Sequence, residues 1–93
     1  MEFEWDERKR RTNLDKHGID FMDAKEIWHG DILEIPSPQT RHGERRYIAL
    51  GSMRGRIVAV VYTWRTRKVR IIGARKAREH EAKDYQGAFG REA

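Results

Sequence analysis

Five cationic side chains around an apolar segment in the second half of the chain could together bind an anion. They are Arg65, Arg67, Arg70, Arg75 and Lys76. Guanidinium and ammonium groups bind phosphate through charge-assisted hydrogen bonds. Arg75 and Lys76 open a predicted helix, where the helix macrodipole disfavours cations. An anion bound at that helix start would remove the conflict. The alternative is equally supported: the two cations are exposed, bind no anion and lower the stability of the helix only modestly.

A carboxylate and a guanidinium stand two residues apart at Glu44 and Arg46, within a predicted strand. Side chains two apart in a strand project from the same face of the sheet. The pair could therefore lie together in a groove and act on a ligand. The alternative is a solvent-side ion pair, which contributes little to stability, and the spacing by itself favours that alternative.

His17 is a candidate for proton transfer, because imidazole is the usual general acid or base near neutral pH. As a residue in the last turn of a predicted helix, it could equally stabilise the negative end of the helix dipole. His42 and His80 have no metal-ligand spacing with each other or with a carboxylate, and the chain has no cysteine. The sequence therefore predicts no metal and no cofactor.

Size and charge favour one small domain, spanning residues 1–93, that binds a polyanion. The chain has 20 Lys and Arg residues against 15 Asp and Glu residues, a net charge of +5. Such a balance is typical of proteins that bind nucleic acid, and equally of a merely solubilising surface. The absence of cysteine excludes a disulfide scaffold. With no membrane-spanning apolar segment and no signal peptide, we expect a cytoplasmic protein with no membrane partner.

The pattern of apolar residues positions the candidate residues on strands and helices. The segment from Arg56 to Trp64 is almost wholly apolar and predicts a strand buried on both faces. The predicted elements are a short strand at 2–6, a helix from 7 capped by Asp6 and ended by Gly18, a helix capped by Asp20 and ended by Gly30, strands at 32–35, 44–51, 56–64 and 68–74, a loop at 36–43, and a helix at 75–89.

This order predicts an α+β domain: a small antiparallel sheet of three to five strands, two helices before it and one after it. Hairpin-length connections between the later strands favour antiparallel pairing. On the first helix, Lys9, Arg10 and Arg11 form a charge run, which is usually just a solvated face, and Lys16 lies in the last turn near the negative end of the helix dipole. Trp64 adjoins the basic loop and could stack on a base, although a tryptophan is more often part of the core.

Three groups of residues, in order over residues 3 to 85, form a set of motifs. They are Phe3-Glu4-Trp5-Asp6, Lys9, Asn13, Lys16-His17-Gly18, Phe21 and Ala24; Gly43-Glu44, Arg46 and Gly51; and Arg70 to Ala77 with Glu81 and Tyr85. Together these residues resemble the motifs of one family, the BrnT-type toxins of bacterial type II toxin–antitoxin systems. One departure is Gly73, which stands where the family usually has serine, so any hydroxyl role there is missing or dispensable.

The resemblance implies a RelE-like fold and a ribonuclease that inhibits translation and growth. It also implies a cognate antitoxin of the ribbon-helix-helix (BrnA) kind, which holds the toxin inactive and through which the complex binds operator DNA and represses its own operon. RNA would be the substrate. Composition and periodicity by themselves indicate only a basic α+β domain.

Metal-independent RNA cleavage uses the 2′-hydroxyl as an internal nucleophile, with acid–base help and cations that stabilise charge on phosphorus. Glu44 and His17 are the candidates for proton transfer. Arg46, Arg65, Arg75 and Lys76 are the candidates for phosphate stabilisation, and Lys9, Lys16, Arg70 and Trp64 for RNA binding. We expect Arg75→Ala or Arg65→Ala to abolish toxicity without unfolding the protein. A non-catalytic nucleic-acid binder and a protein-interaction module are the alternatives.

Overall fold

A computed structural model describes residues 1–41 and 43–90, with positions 39–41 described by their backbone only. His42 and residues 91–93, which belong to the predicted domain, lie outside the described residues. The elements are β1 (Glu2–Trp5), α1 (Glu7–His17), α2 (Phe21–Ala24), a 3₁₀ helix (Lys25–His29), β2 (Leu33–Arg41), β3 (Glu44–Met53), β4 (Arg56–Arg65), β5 (Lys68–Lys76) and α3 (Glu79–Phe89).

The five strands form one sheet in the order β1-β5-β4-β3-β2. The predicted α+β class is confirmed, and the five strands lie within the predicted range of three to five; the helices differ slightly, because the second predicted helix is a short α2 followed by a 3₁₀ helix. The hairpin-connected strands pair antiparallel, as expected. The exception is β1, which pairs parallel to β5. These two strands are separated by most of the chain, so no hairpin dictates their direction.

Both faces of the sheet are covered. Successive side chains of β4 point to opposite faces, and those on each face are buried in a separate core cluster. Val58, Val60 and Tyr62 belong to a core cluster with Phe21 of α2 and Ile27 of the 3₁₀ helix. We call this side the α2 face.

The opposite side of the sheet packs against α3. Ala59 of β4 lies there with Ile48, Leu50 and Tyr85, and we call this side the α3 face. Val58, Ala59 and Val60 are all fully buried, which confirms the prediction of a strand buried on both faces.

α1 lies along the part of β5 that no strand covers. The Asp6 carboxylate caps α1 by accepting hydrogen bonds from the Arg8 and Lys9 N–H groups, and these bonds lower its pKa. Gly18 ends the helix with a left-handed φ of 69°. Both capping predictions are therefore confirmed.

One side chain of α1 bonds directly to the free edge of β5. The Asn13 amide donates to the Ala74 carbonyl at 2.9 Å and accepts from the Ala74 N–H at 3.1 Å. It takes the place of a neighbouring strand beyond Trp5↔Ile71, where the β1–β5 pairing ends. These two bonds set the position of α1 relative to β5.

Two predicted boundaries are wrong. Arg75 and Lys76 end β5, where they pair with Ala59 and Val58, and α3 begins only at Glu79. The predicted loop at 36–43 is largely strand, since β2 continues to Arg41 with an irregularity between Pro36 and Thr40. In both places pairing with a distant strand overrides the local helix or loop pattern.

Candidate functional site

Among the side chains that the structure describes, four strand arginines project from the α3 face of the sheet. Arg46 precedes Ile48 by two residues in β3, and Ile48 packs in the cluster on that face. Val69 and Ile71 on either side of Arg70, and Ala74 before Arg75, pack on the α2 face, so both arginines project from the opposite face. Arg65 follows Tyr62 of the α2 face by three residues in β4, and alternation places it on the α3 face as well. We call this group the arginine face; it consists of Arg46, Arg65, Arg70 and Arg75.

A β-bulge in β5 brings two of these arginines to the same face. Tyr62 pairs with Ile71 whereas Val61 pairs with Gly73, so Ile72 is an extra residue. Arg70 and Arg75 are five residues apart, and strict alternation would have put them on opposite faces. The bulge changes the alternation and places Lys76 on the α2 face instead.

Three of the four arginines are held by carboxylates. The pairs differ in exposure, and only one is tight and buried: Glu81 in the first turn of α3 has a side chain 4% exposed. The Arg75 hydrogen bonds are the main cause of the lowered pKa of Glu81. The pairs are Arg65–Glu44 at 3.5 Å, Arg70–Glu4 at 2.8 Å, and Arg75–Glu81 at 2.7 and 3.0 Å.

Arg46 is different, because no carboxylate among the described residues pairs with its guanidinium. Its Nε atom is buried and has no hydrogen-bond partner within the described part of the chain. A buried donor without a partner costs free energy, and native structures rarely keep one. An anion bound at Arg46 would satisfy this donor and balance the charge.

A groove of about 220 Å³ adjoins Arg46 on the same face. Its floor is the paired residues Ile48 and Val61, and Arg75 and Arg78 lie at its side. Sequence reasoning missed Arg78, because the helix was predicted to begin before it. Arg78 is in fact the N-cap of α3, and its N–H donates to Glu81 at 2.8 Å.

The arginine face is extended along the strands. Glu44 and Arg46 share it, as predicted, but Glu44 pairs with Arg65 rather than with Arg46. Arg65 stands six residues from Ala59, the partner of Arg75, which is about 20 Å at 3.3 Å per residue. A single phosphate cannot contact both ends, whereas a phosphate chain can.

Two predicted site residues lie on the other side of the sheet. Lys76 pairs with Val58, whose side chain packs on the α2 face. Trp64 is 47% exposed and its ring lies edge-on to Tyr62 at 6.1 Å. The structure therefore does not bring Lys76 or Trp64 together with the arginine face.

Three other predicted residues meet in a second groove. Lys9, Lys16 and His17 line a space of about 350 Å³ between α1 and β5. We call it the α1 groove; its other lining residues are Arg8, Thr12, Asn13 and Ile72. His17 is thus separated from Glu44, the other candidate for proton transfer.

A larger groove, of about 620 Å³, lies near the 3₁₀ helix. Its arginine, Arg54, is already held by Asp23 at 3.0 Å and Glu26 at 3.7 Å. Acidic side chains line this groove, in contrast to the α1 groove. It is therefore a poorer anion site than either groove described above.

The family model for the BrnT ribonuclease toxins of type II toxin–antitoxin systems matches residues 5–81. The chain belongs to this family. No curated protein sequence matches it. The matched BrnT segment contains Glu44, all four arginines of the arginine face, and the α1 groove. A ribonuclease acts on a polyanion, and a toxin of this type has an antitoxin as its partner.

Two kinds of feature are absent from the described part of this BrnT chain. Among residues 1–41 and 43–90, no group of three or more His, Cys, Asp or Glu side chains could hold a metal ion. Over the same residues, no helix is long and apolar enough to cross a membrane.

Proposed function

We propose that this BrnT toxin is an endoribonuclease that cleaves RNA on the arginine face without a metal ion. The observation that carries this proposal is Arg46, a partly buried guanidinium with an unpaired Nε donor on a face of otherwise paired arginines. An anionic ligand is the simplest group to complete that site. The family indicates which anion this is, because a ribonuclease binds the phosphates of RNA.

The proposed reaction begins with Glu44, two residues from Arg46 on the same face. Its carboxylate takes the proton of a 2′-hydroxyl, whose oxygen then attacks the adjacent phosphorus. The bond to the 5′-oxygen breaks, and that oxygen takes a proton from a water molecule. The resulting hydroxide takes the proton from Glu44 and regenerates the carboxylate. The products are a 2′,3′-cyclic phosphate and a 5′-hydroxyl.

Arg46 has the principal role in stabilising charge on the reacting phosphate. A well-placed donor aimed at charge that develops in the transition state contributes about 3–4 kcal/mol. Arg65 lies beside Glu44 and can hold its carboxylate in position. The groove with Arg75 and Arg78 would hold a neighbouring phosphate of the same strand, because it opens on the same face.

The antitoxin proposed for this chain is a DNA-binding protein of the ribbon-helix-helix kind. It would cover the arginine face with acidic side chains, and the complex would repress its own operon. The type II toxin family supports the presence of an antitoxin, and the cations of the face suit an acidic segment. Mobility shift of operator DNA by the toxin–antitoxin complex, but not by the toxin alone, tests the repression.

The cleavage test compares adjacent arginines of one strand. Arg46→Ala removes the unpaired guanidinium and breaks no hydrogen bond among described residues, so the variant should fold. Arg45→Ala is the matched control: Arg45 is exposed, it lies on the opposite face, and its backbone carbonyl keeps the bond from Thr63. Purified variants are incubated with RNA in EDTA and the new ends are mapped.

We expect the wild type and Arg45→Ala to produce 5′-hydroxyl ends in EDTA, and Arg46→Ala to be slower by about a hundredfold to a thousandfold. Equal rates for the two variants would remove Arg46 from the mechanism. RNA binding without new ends in the wild type would favour a non-catalytic nucleic-acid binder. Loss of activity in EDTA that Mg²⁺ restores would contradict metal independence.

A further inference from the structure

The lining of the α1 groove is basic. Its lining includes Arg8, Lys9, Lys16 and His17, and no acidic residue. None of these four side chains forms an ion pair within residues 1–41 and 43–90. By contrast, Arg10 on the same helix is bonded to Asp20 at 2.7 Å. The cations of the groove are thus not tied to a carboxylate, whereas Arg10 is tied to Asp20. The nearby Asp6 carboxylate attracts Arg8 and Lys9 without an ion pair.

The helix that carries the basic lining residues of the α1 groove is bonded to the sheet. Lys9, Asn13 and Lys16 follow one another at spacings of four and three residues, which puts them on one side of α1. The two hydrogen bonds of Asn13 to Ala74 fix that side of the helix against β5. The cations of the groove are therefore attached to a rigid element next to the arginine face.

Only a glycine separates the two grooves along the sheet. Val61, in the floor of the groove beside Arg75, pairs with Gly73. The next residue, Ile72, lines the α1 groove. A side chain at Gly73 would rise between them, and a Cβ built there has only Asn13 Oδ1 within 4 Å, at 3.8 Å. The space above Gly73 is open.

We infer that the α1 groove is a second phosphate subsite for the RNA strand that is cleaved on the arginine face, and that the strand crosses β5 over Gly73. This rests on the proposed function. Lys9 and Lys16 each contact a backbone phosphate of the nucleotides that flank the cleaved bond. The substrate is then single-stranded RNA long enough to reach both grooves.

The lining favours a nucleic-acid backbone over a protein segment. Protein-binding surfaces rely on desolvated aromatic or aliphatic anchors, and Ile72 is the one aliphatic side chain in the α1 groove lining. Single-stranded nucleic acid is held instead by grooves of positive charge that follow its backbone. An acidic antitoxin segment in the groove is the competing outcome of the test.

The first test measures binding of a 12-nucleotide 2′-O-methyl RNA, which cannot be cleaved, over a series of salt concentrations. Lys9→Ala/Lys16→Ala should bind about tenfold more weakly than wild type. Its plot of log affinity against log salt should be shallower by about 1.4, for two lost phosphate contacts on a single strand. The matched control is Lys25→Ala/Lys83→Ala, which removes the same charge elsewhere and should keep the wild-type slope.

The second test places a bulky side chain between the two grooves. Gly73→Leu should lower affinity for the 12-nucleotide RNA severalfold with little change in melting temperature, because the backbone there does not require glycine. Wild-type affinity in Gly73→Leu would overturn the crossing point. A Lys9→Ala/Lys16→Ala variant that matches the control in affinity and slope would overturn the subsite, as would one that loses only antitoxin binding.

Cleavage of a dinucleotide separates this inference from the proposed function. A dinucleotide has one phosphodiester and cannot reach both grooves. If the wild type cleaves neither the dinucleotide nor longer RNA, the proposed function fails. If it cleaves RNA in an Arg46-dependent way while the two double variants bind equally well, only the second subsite fails.

Discussion

Arg75 and Glu81 form a two-point ion pair that joins the end of β5 to the first turn of α3. The Arg75 Nη1 and Nη2 groups donate to Oε1 and Oε2 of Glu81 at 2.7 and 3.0 Å. The side chains are 20% and 4% exposed. The pair therefore has a structural role beside any role in binding phosphate, and the two roles need separate measurements.

Arg75→Ala should destabilise the protein, which changes the expectation drawn from the sequence. Removal of Arg75 leaves the buried Glu81 carboxylate without its ion-pair partner and with only the Arg78 N–H as a hydrogen-bond donor, at a cost of up to about 3–5 kcal/mol. Arg65→Ala breaks an ion pair whose side chains are 55% and 29% exposed and should cost less than about 1 kcal/mol. Urea unfolding measures both.

Arg75→Ala/Glu81→Ala should be more stable than the sum of the single changes predicts, because neither charge is then left alone. An Arg75→Ala variant as stable as Arg65→Ala would show that the pair contributes nothing. Loss of toxicity in Arg75→Ala is evidence for a role in catalysis only at a temperature where the variant is folded. Arg65→Ala carries no such restriction.

Stability should fall in acid through Glu81. Hydrogen bonds from Arg75 hold the pKa of this carboxyl below its ordinary value. A lowered folded-state pKa gives stability that is present above the unfolded pKa and is lost as pH falls through the folded pKa. The wild type should therefore lose stability below about pH 4.5, close to the ordinary pKa of glutamate.

Glu81→Gln should be less stable than wild type at neutral pH and should lose less on acidification, since the amide does not titrate. Melting temperatures between pH 3 and pH 7 give both curves. Parallel curves for the two proteins would assign the acid sensitivity to other carboxylates. Asp6 and Asp20 also have lowered pKa values, so a smaller acid dependence should remain in Glu81→Gln.

Local patterns predicted much of the fold because local contacts decide it. The Asp6 cap and Gly18 depend on neighbouring N–H groups and backbone conformation, and β4 on a run of apolar side chains. The sequence predicts Arg75 and Lys76 in a helix, and this is wrong because they pair with Ala59 and Val58 of another strand. Sequence periodicity carries no information on such a partner.

The candidate site was predictable only where the local alternation of a strand decides it. The shared face of Glu44 and Arg46 follows from strand alternation, but the common face of Arg70 and Arg75 depends on the bulge at Ile72. The unpaired Nε of Arg46 depends on which arginines the carboxylates of Glu4, Glu44 and Glu81 reach. No spacing in the sequence gives that assignment, because Glu4 and Arg70 meet only across the β1–β5 pair.

Gly51 should be intolerant of a side chain for packing reasons. A Cβ there would lie 2.6 Å from Ile27 Cβ and 3.1 Å from Ile32 Cδ1. Both neighbours belong to or pack on the α2-face cluster, so Gly51→Ala should cost about 1–3 kcal/mol through overpacking. Thermal unfolding measures the loss.

Gly30→Ala is the control for Gly51→Ala, because no atom lies within 4 Å of a Cβ at Gly30 and its φ is −128°. We expect it to melt within a few degrees of the wild type. Equal stability of the two variants would mean that the 3₁₀ helix moves freely away from β3. The role of Gly51 would then have to be sought outside packing.

The β4–β5 turn should be stabilised by replacing its residues. Thr66 and Arg67 have φ values of 47° and 69°, the pattern of a two-residue type I′ turn, which prefers Asn-Gly. Non-glycine residues in this conformation cost about 1 kcal/mol each. Thr66→Asn should raise the free energy of unfolding, and Thr66→Asn/Arg67→Gly should raise it further.

The double variant also removes a cation beside Arg65, so RNA affinity is measured together with stability. A stabilised variant with weaker, less salt-dependent binding would show that Arg67 is kept for its charge, whereas no gain in stability would show that the turn is unstrained.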